Sequence, residues 1–283
     1  MGKPEYTMLH ARGGVAYGAL ALPQAELRRL LDEPDALLWR NLHRPVKIAQ
    51  TSLMVEADLP VLRGMAKVGY KQYRPRNCWK SLLGLFRRSR AQSAWHLGYR
   101  LLACQIPTPR PLAMCRPRGP RLRQSSYLAT EWIEAAENLH LYGWRLADQP
   151  RDQRLRSAAR CAESLGRLVG RMHALHIAHR DLKGANLLVA ERGDRVATYL
   201  IDLDGVRFCR HLDSSRRAAN LARLAAGIAA HPWVTRTTYR RFLRAYIEQL
   251  PPRTVAWKTL WRDVAARSRR IVERKQRSGE QVL

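Results

Sequence analysis

The stretch His179-Arg-Asp-Leu-Lys-Gly-Ala-Asn186, followed by Ile201-Asp-Leu-Asp-Gly205, decides how this chain is read. It sets a carboxylate (Asp181), an ammonium (Lys183), a carboxamide (Asn186) and a second carboxylate (Asp202) in one short segment. The apolar runs Leu187–Ala190 and Val196–Ile201 bracket Glu191-Arg-Gly-Asp194 and predict two strands joined by a turn.

The first piece reads H-R-D-L-x-x-x-N, the catalytic-loop signature of the protein-kinase fold. Phosphoryl transfer asks for positioning and charge neutralisation more than covalent chemistry. Asp181 is placed to accept the proton of an attacking hydroxyl. Lys183 is placed to offset charge on the transferred phosphoryl group. Asn186 and Asp202 are the oxygen donors for Mg2+, which keeps most of its waters and needs few protein ligands. Asp204 stands where kinases carry glycine, and either assists the metal or caps the turn.

ATP also needs a lysine from a strand of the small lobe. Lys71, in Val68-Gly-Tyr-Lys71, fits the V-A-I-K form, with Lys67 as the register-shifted alternative. Its usual acidic partner is missing, because the predicted helix Arg88–Cys104 holds no acid. Gln92 or Glu56 is left for that role. No glycine-rich loop precedes Lys71. Leu42–Ser52 takes its place, so Lys47, Thr51 or Ser52 would supply part of the phosphate cradle. Adenine would meet backbone groups of Glu131 and Ile133 in the linker Glu131-Trp132-Ile133, where Trp132 is either packing or an adenine contact.

Periodicity supplies the frame. Strands are expected near Leu37–Leu42, Ser52–Ala57, Ala66–Tyr73 and Tyr127–Trp132. Helices are expected over Arg88–Cys104, Leu155–Met172, Ala218–Ala230, Thr237–Leu250 and Thr254–Gln276. This is an α+β plan of two lobes with a cleft between them. Residues 1–35 form an N-terminal extension, 36–133 a small β-rich lobe and 134–283 a larger, mainly helical one.

Charge narrows the partners. The 283 residues hold 51 Lys and Arg against 23 Asp and Glu, a net +28. From Leu59 to Thr130 there is no acid at all, while Arg74, Arg76, Lys80, Arg87, Arg121, Arg123 and others accumulate. Such a balance favours anionic partners: a membrane surface, a phosphorylated glycan or an acidic protein. No base-reading motif is present, so only non-specific, salt-sensitive nucleic-acid binding is expected. The five cysteines show no Cys-x-x-Cys pair and read as apolar fillers in a reducing compartment. No apolar run reaches the ~18 residues of a membrane span. Gly13–Leu22 is too short and too glycine-rich for a signal peptide.

Beyond the catalytic loop, Gly69-Tyr-Lys-Gln-Tyr-Arg74, Arg87-Arg-Ser-Arg-Ala91 and Trp95 resemble the lipopolysaccharide kinase (Kdo/WaaP) family. So do Ile106-Pro-Thr-Pro-Arg-Pro-Leu-Ala113 and Asn220-Leu-Ala-Arg-Leu224. The resemblance spans most of Leu37 to Tyr246. It implies a kinase of the protein-kinase-like superfamily that phosphorylates heptose or Kdo of the lipopolysaccharide core, at the cytoplasmic face of the inner membrane. By that likeness Asp181 activates a sugar hydroxyl. The short run from Asp204 into helices, with no Ala-Pro-Glu motif, leaves little room for a peptide-binding platform. A protein Ser/Thr kinase and a non-catalytic module binding anionic partners are the competing readings. The last helix opposes Leu260, Trp261 and Val264 to Arg262, Arg269 and Arg270. It fits either a membrane surface or docking on the large lobe.

Overall fold

A computed structural model describes residues 6–75, 88–118, 125–252, 254 and 256–279. Arg76, Cys78, Lys80, Arg87, Arg121 and Arg123 lie outside the described residues. The chain divides into two compact units. One runs to Cys104 and resumes over Pro109–Trp132; the other holds Gln105–Thr108 and everything from Ile133 onward.

The N-terminal unit is built from β1 (Tyr6–Ala11), β2 (Gly14–Ala19), α1 (Gln24–Asp32), α2 (Ala36–Arg40) and β3 (Pro45–Ala49). It continues through β4 (Ser52–Val61), β5 (Gly64–Tyr73), α3 (Arg90–Ala103), β6 (Pro111–Pro117) and β7 (Ser126–Glu131). Its strands form one antiparallel sheet in the order β1-β2-β6-β7-β5-β4-β3. Successive side chains of a strand alternate between faces, and the two faces bury different cores. One packs Leu53, Val55, Tyr70 and Tyr127 against Leu27, Leu31 and Leu38 of α1 and α2. The other packs Tyr17, Tyr73, Met114 and Leu128 against Ala91, Ala94 and Trp95 of α3. Ser89 caps α3, its Oγ accepting from Gln92 N at 3.1 Å. That helix buries the Ala91, Ala94, Trp95, Gly98 and Leu101 stripe that its sequence spacing predicts.

Two expectations change here. The strand near Leu37–Leu42 is instead the helix α2. Ala36-Leu-Leu-Trp-Arg40 has no β-branched residue, and helix formers dominate it. Residues 6–32, read as part of an extension, supply two strands and a helix of this unit. The Gly13–Leu22 run is largely β2, with Gly14 at φ 140° where a side chain would run into the β6 backbone.

The C-terminal unit contains β8 (Ala136–Asn138), α4 (Leu139–Ala147), α5 (Arg151–Ala174), β9 (Ile177–His179), β10 (Leu187–Arg192) and β11 (Arg195–Leu200). After these come β12 (Val206–Phe208), α6 (Ser214–Ile228), α7 (Arg236–Ile247) and α8 (Trp257–Arg277). Strands β11, β10 and β8 form one small sheet, β12 and β9 another. Helix α5 is its axis. Gly166 and Gly170, one turn apart, let α7 approach closely: a Cβ at either would sit 2.5 Å from the carbonyl of Phe242 or Tyr246. The proline-rich segment anchors here. Pro107 O accepts from Leu200 N at 2.9 Å, and Thr108 Oγ1 donates to Leu200 O at 2.8 Å, with Ile106 fully buried. Leu260 of α8 is buried and Arg267 donates to Ser215 of α6, so this helix docks on its own unit.

Candidate active site

The loop after β9 places Asp181 and Lys183; the single 3-10 turn Gly184–Asn186 then delivers Asn186 into β10. Lys183 Nζ lies 3.2 Å from Asp181 Oδ2. Asn186 Nδ2 donates to the same Oδ2 at 3.2 Å and to Asp181 O at 2.8 Å. Both donations fix the carboxamide orientation, because only its nitrogen can donate. Its oxygen is thereby turned away from Asp181. The Asp181 side chain is half exposed, while Asn186 is buried.

Asp202 belongs to the same end of the hairpin. Leu187 pairs with Leu200, and Ile201 N donates to Asn186 O at 3.0 Å, carrying the ladder to the residue before Asp202. Asp202 itself is left-handed, φ 57° and ψ 63°. A non-glycine residue there costs on the order of 1–2 kcal/mol, and such strain is kept where the surroundings over-determine it.

The surroundings here are one imidazole. His179 is fully buried. Its Nε2 is 3.1 Å from Asp202 O, and its Nδ1 is 3.2 Å from Asp181 N. A carbonyl only accepts and an amide N–H only donates, so the ring carries its proton on Nε2. Burial holds its pKa below the ordinary histidine value, against hydrogen bonds from Asp202 and Asp181 that pull it up. The neutral ring thus ties the backbone of one aspartate to that of the other. Strands β9 and β12 close the same junction, with His179 opposite Val206 and Arg180 N donating to Gly205 O at 2.9 Å. Gly205 is required by the ring: a Cβ there would lie 2.7 Å from His179 Cε1 and 2.9 Å from Nε2. Asp204 sits inside the turn Leu203–Gly205, its carbonyl accepting from Arg207.

A buried polar chain stands behind this junction. Asn220 Oδ1 of α6 accepts from His179 N at 3.0 Å and lies 3.4 Å from His173 Nε2. His173 Nδ1 meets the Tyr246 hydroxyl of α7 at 2.9 Å. Arg217 donates to His173 O and to Leu212 O. Burial, then the Arg217 charge, push the His173 pKa down to about 3; burial pushes Tyr246 up to about 12. Sequence reasoning assigned no role to His173, Arg217 or Tyr246. Polar residues at the buried positions of helical stripes are the available signal.

In the N-terminal unit, the register runs Lys47–Met54–Lys71–Leu128 across β3, β4, β5 and β7. Lys71 therefore lies on the α3 face, with Nζ 4.6 Å from the Tyr73 ring centroid. Lys67 shares that face but is ion-paired to Glu56 at 3.3 Å. Gln92 donates to the Tyr17 hydroxyl at 2.7 Å. Of the cradle candidates, Ser52 is buried and Lys47 exposed on the Lys71 face. Thr51 O accepts from Arg74 N and Arg90, which pins the β3–β4 turn. Glu131 N donates to Arg110 O at 2.8 Å and Trp132 N to Lys67 O at 3.1 Å. Glu131 ends β7; Ile133 begins the segment leading to β8.

Residues 65–246 match the family described as the lipopolysaccharide kinase (Kdo/WaaP) family. A 3-deoxy-D-manno-octulosonic acid kinase of Xanthomonas campestris pv. campestris is 33% identical over 230 residues, covering 75% of this chain and 81% of that protein. Its counterpart in Xanthomonas euvesicatoria pv. vesicatoria is 30% identical over 226 residues with the same coverage. Among solved structures, WaaP in complex with acyl carrier protein superposes with a TM-score of 0.61, covering 89% of this chain and 97% of that one. At 20% sequence identity this last likeness speaks for the fold.

Proposed function

The chain belongs to the lipopolysaccharide kinase (Kdo/WaaP) family, and on that premise we propose that it transfers the γ-phosphate of ATP to a hydroxyl of 3-deoxy-D-manno-octulosonic acid in the lipopolysaccharide inner core. The observation that carries this reading is the Asp181 carboxylate. Lys183 and Asn186 hold its Oδ2, which leaves Oδ1 to take the acceptor's proton. General-base action of this kind contributes roughly 10²–10⁴-fold. Lys183 balances charge on the moving phosphoryl group. Lys71, with Lys47 on the same face of the sheet, serves the nucleotide phosphates. Backbone groups of Glu131 and Ile133 serve the adenine.

The donor set fits magnesium. Asn186 keeps its side-chain oxygen turned from Asp181, and Asp202 offers a carboxylate on a constrained backbone. When bound, Mg2+ neutralises phosphate charge. A sugar acceptor is favoured over a peptide because residues 209–213 alone separate β12 from α6. No described helix is long and apolar enough to cross a membrane, and we place the protein peripherally at the cytoplasmic face of the inner membrane.

The test is transfer of labelled γ-phosphate to lipopolysaccharide from a kinase-deficient strain, followed by locating the phosphate. Asp181→Asn should lower kcat by about 10²–10⁴-fold with the urea midpoint unchanged. Labelling of protein extract but not of lipopolysaccharide would favour a protein kinase. No magnesium-dependent ATP turnover at all would favour a non-catalytic module.

An acidic protein partner is a second element of this reading. The WaaP structure is a complex with acyl carrier protein. Here Arg262, Arg269, Arg270 and Arg274 crowd α8, and beside it lies an apolar chamber of about 410 Å3 lined by Leu146, Ala162, Leu224, Phe242 and Trp261. Two polar atoms of its wall residues, His231 Nδ1 and Trp233 Nε1, are buried without a partner. Calorimetric titration with purified acyl carrier protein, acylated and not, tests this element.

A further inference from the structure

One edge of the seven-stranded sheet carries, apart from Lys47, a surface to which phosphoryl transfer gives no role. Residues Trp39 to Ile48 leave α2 and enter β3, the outermost strand on that side. Every residue from Leu42 to Ile48 is exposed. Trp39 is 68% exposed and Ile48 71%, with Leu42 and Val46 exposed beside them. Arg40, His43 and Arg44 are interspersed, and no Asp or Glu occurs from Ala36 to Val55. Four large apolar side chains exposed within ten residues mark a surface that meets something other than water.

The register separates this surface from the phosphate face. Ile48 stands opposite Leu53, which belongs to the core under α1 and α2. Lys47 stands opposite Met54 and, through it, Lys71. Ile48 thus shares the α2 face of the sheet, and Lys47 the other.

The occupant follows from the edge chemistry. A strand added by another chain would meet Pro45, which has no N–H, and a bulge between Pro45 and Lys47. A second copy of a +28 chain would bring Arg40 and Arg44 against more positive charge. An anionic bilayer satisfies every group. Arginines pair with headgroups, the Trp39 indole sits at the interface, and Leu42, Val46 and Ile48 enter the acyl boundary. We propose that the Trp39–Ile48 edge seats the protein on an anionic lipid bilayer, an inference that rests on the reading of the acceptor as a membrane glycolipid.

Co-sedimentation with phosphatidylcholine vesicles, with and without phosphatidylglycerol, tests it at low and high salt. Wild type should bind the anionic vesicles at least tenfold more tightly. Trp39→Ser/Ile48→Ser should lose about tenfold or more, and Arg40→Glu/Arg44→Glu should lose both affinity and its salt dependence. Both variants should unfold at the wild-type urea midpoint, and Trp39→Ser and Arg40→Glu alone, which lie outside Leu42–Ser52, should phosphorylate a water-soluble, deacylated core acceptor at the wild-type rate. Wild-type vesicle binding by either variant overturns the proposal. So does loss of binding in Trp257→Ser alone, which would move the contact to α8. If wild type binds vesicles through this edge but phosphorylates no core acceptor, the acceptor reading fails and the surface stands.

Discussion

Gly205→Ala isolates the contact that joins the two aspartates. The residue has an ordinary backbone conformation among the described residues, so alanine adds no torsional strain. It adds one methyl group 2.7 Å from His179 Cε1, 2.9 Å from Nε2 and 3.0 Å from Nδ1. The imidazole cannot retreat without stretching its bonds to Asp181 N or Asp202 O. Overpacking of this kind costs about 1–3 kcal/mol. In urea, with a slope of about 2–3 kcal/mol/M, that moves the midpoint down by roughly 0.3–1.5 M. His179→Ala alone leaves two backbone groups unpartnered, at about 1–3 kcal/mol each if they stay dry. In the double variant the new methyl occupies the vacated space. Gly205→Ala should then cost almost nothing, and the cycle should show a coupling of about 1–3 kcal/mol. Urea unfolding of the four proteins measures it. Additivity within about 0.5 kcal/mol would show that the ring does not dictate the glycine.

Other consequences are as specific. His173 titrates near pH 6.5 when unfolded but only near 3 when folded. Between these values the unfolded chain holds more protons, so stability falls as pH falls. The contribution should be intact above pH 7 and reduced by about 2–3 kcal/mol at pH 4.5; a flatter urea-midpoint profile in His173→Gln checks it. Arg217→Met should cost roughly 2–4 kcal/mol in the same assay, because two buried carbonyls lose a charged donor. Lys67→Ala should cost under about 1 kcal/mol, since its pair with Glu56 is half exposed, and should leave ATP turnover intact. Lys71→Ala should instead raise KM for ATP or abolish turnover in steady-state kinetics.

The parts legible in the sequence were the local ones. Asp181, Lys183 and Asn186 lie within one signature and Asp202 in a second one nearby, and the short β10–β11 hairpin brings the two pieces together. The α3 stripe from Ala91 to Leu101 follows from helical spacing alone. What stayed hidden depends on partners far along the chain. Asn220 reaches His179, and Tyr246 reaches His173, through side-chain bonds across 41 and 73 residues. No local pattern distinguishes such a histidine from a surface one. Trp39 and Leu42 read as strand because apolar spacing in a short run does not separate helix from strand; Val46 and Ile48 fall in the segment read as the phosphate cradle, and nothing local marks them as an exposed edge strand. The β4–β5 register sets Glu56 opposite Gly69, between Lys67 and Lys71, a placement that depends on strand pairing and not on local sequence.

The His179 ring has a use beyond fastening. A buried Nε2 proton on a carbonyl exchanges with solvent only when the junction opens. That single proton is a natural probe. Its resonance should persist in water while Asp181 and Asp202 stay registered, and should fade, without any label or substrate, in whatever state lets the two part.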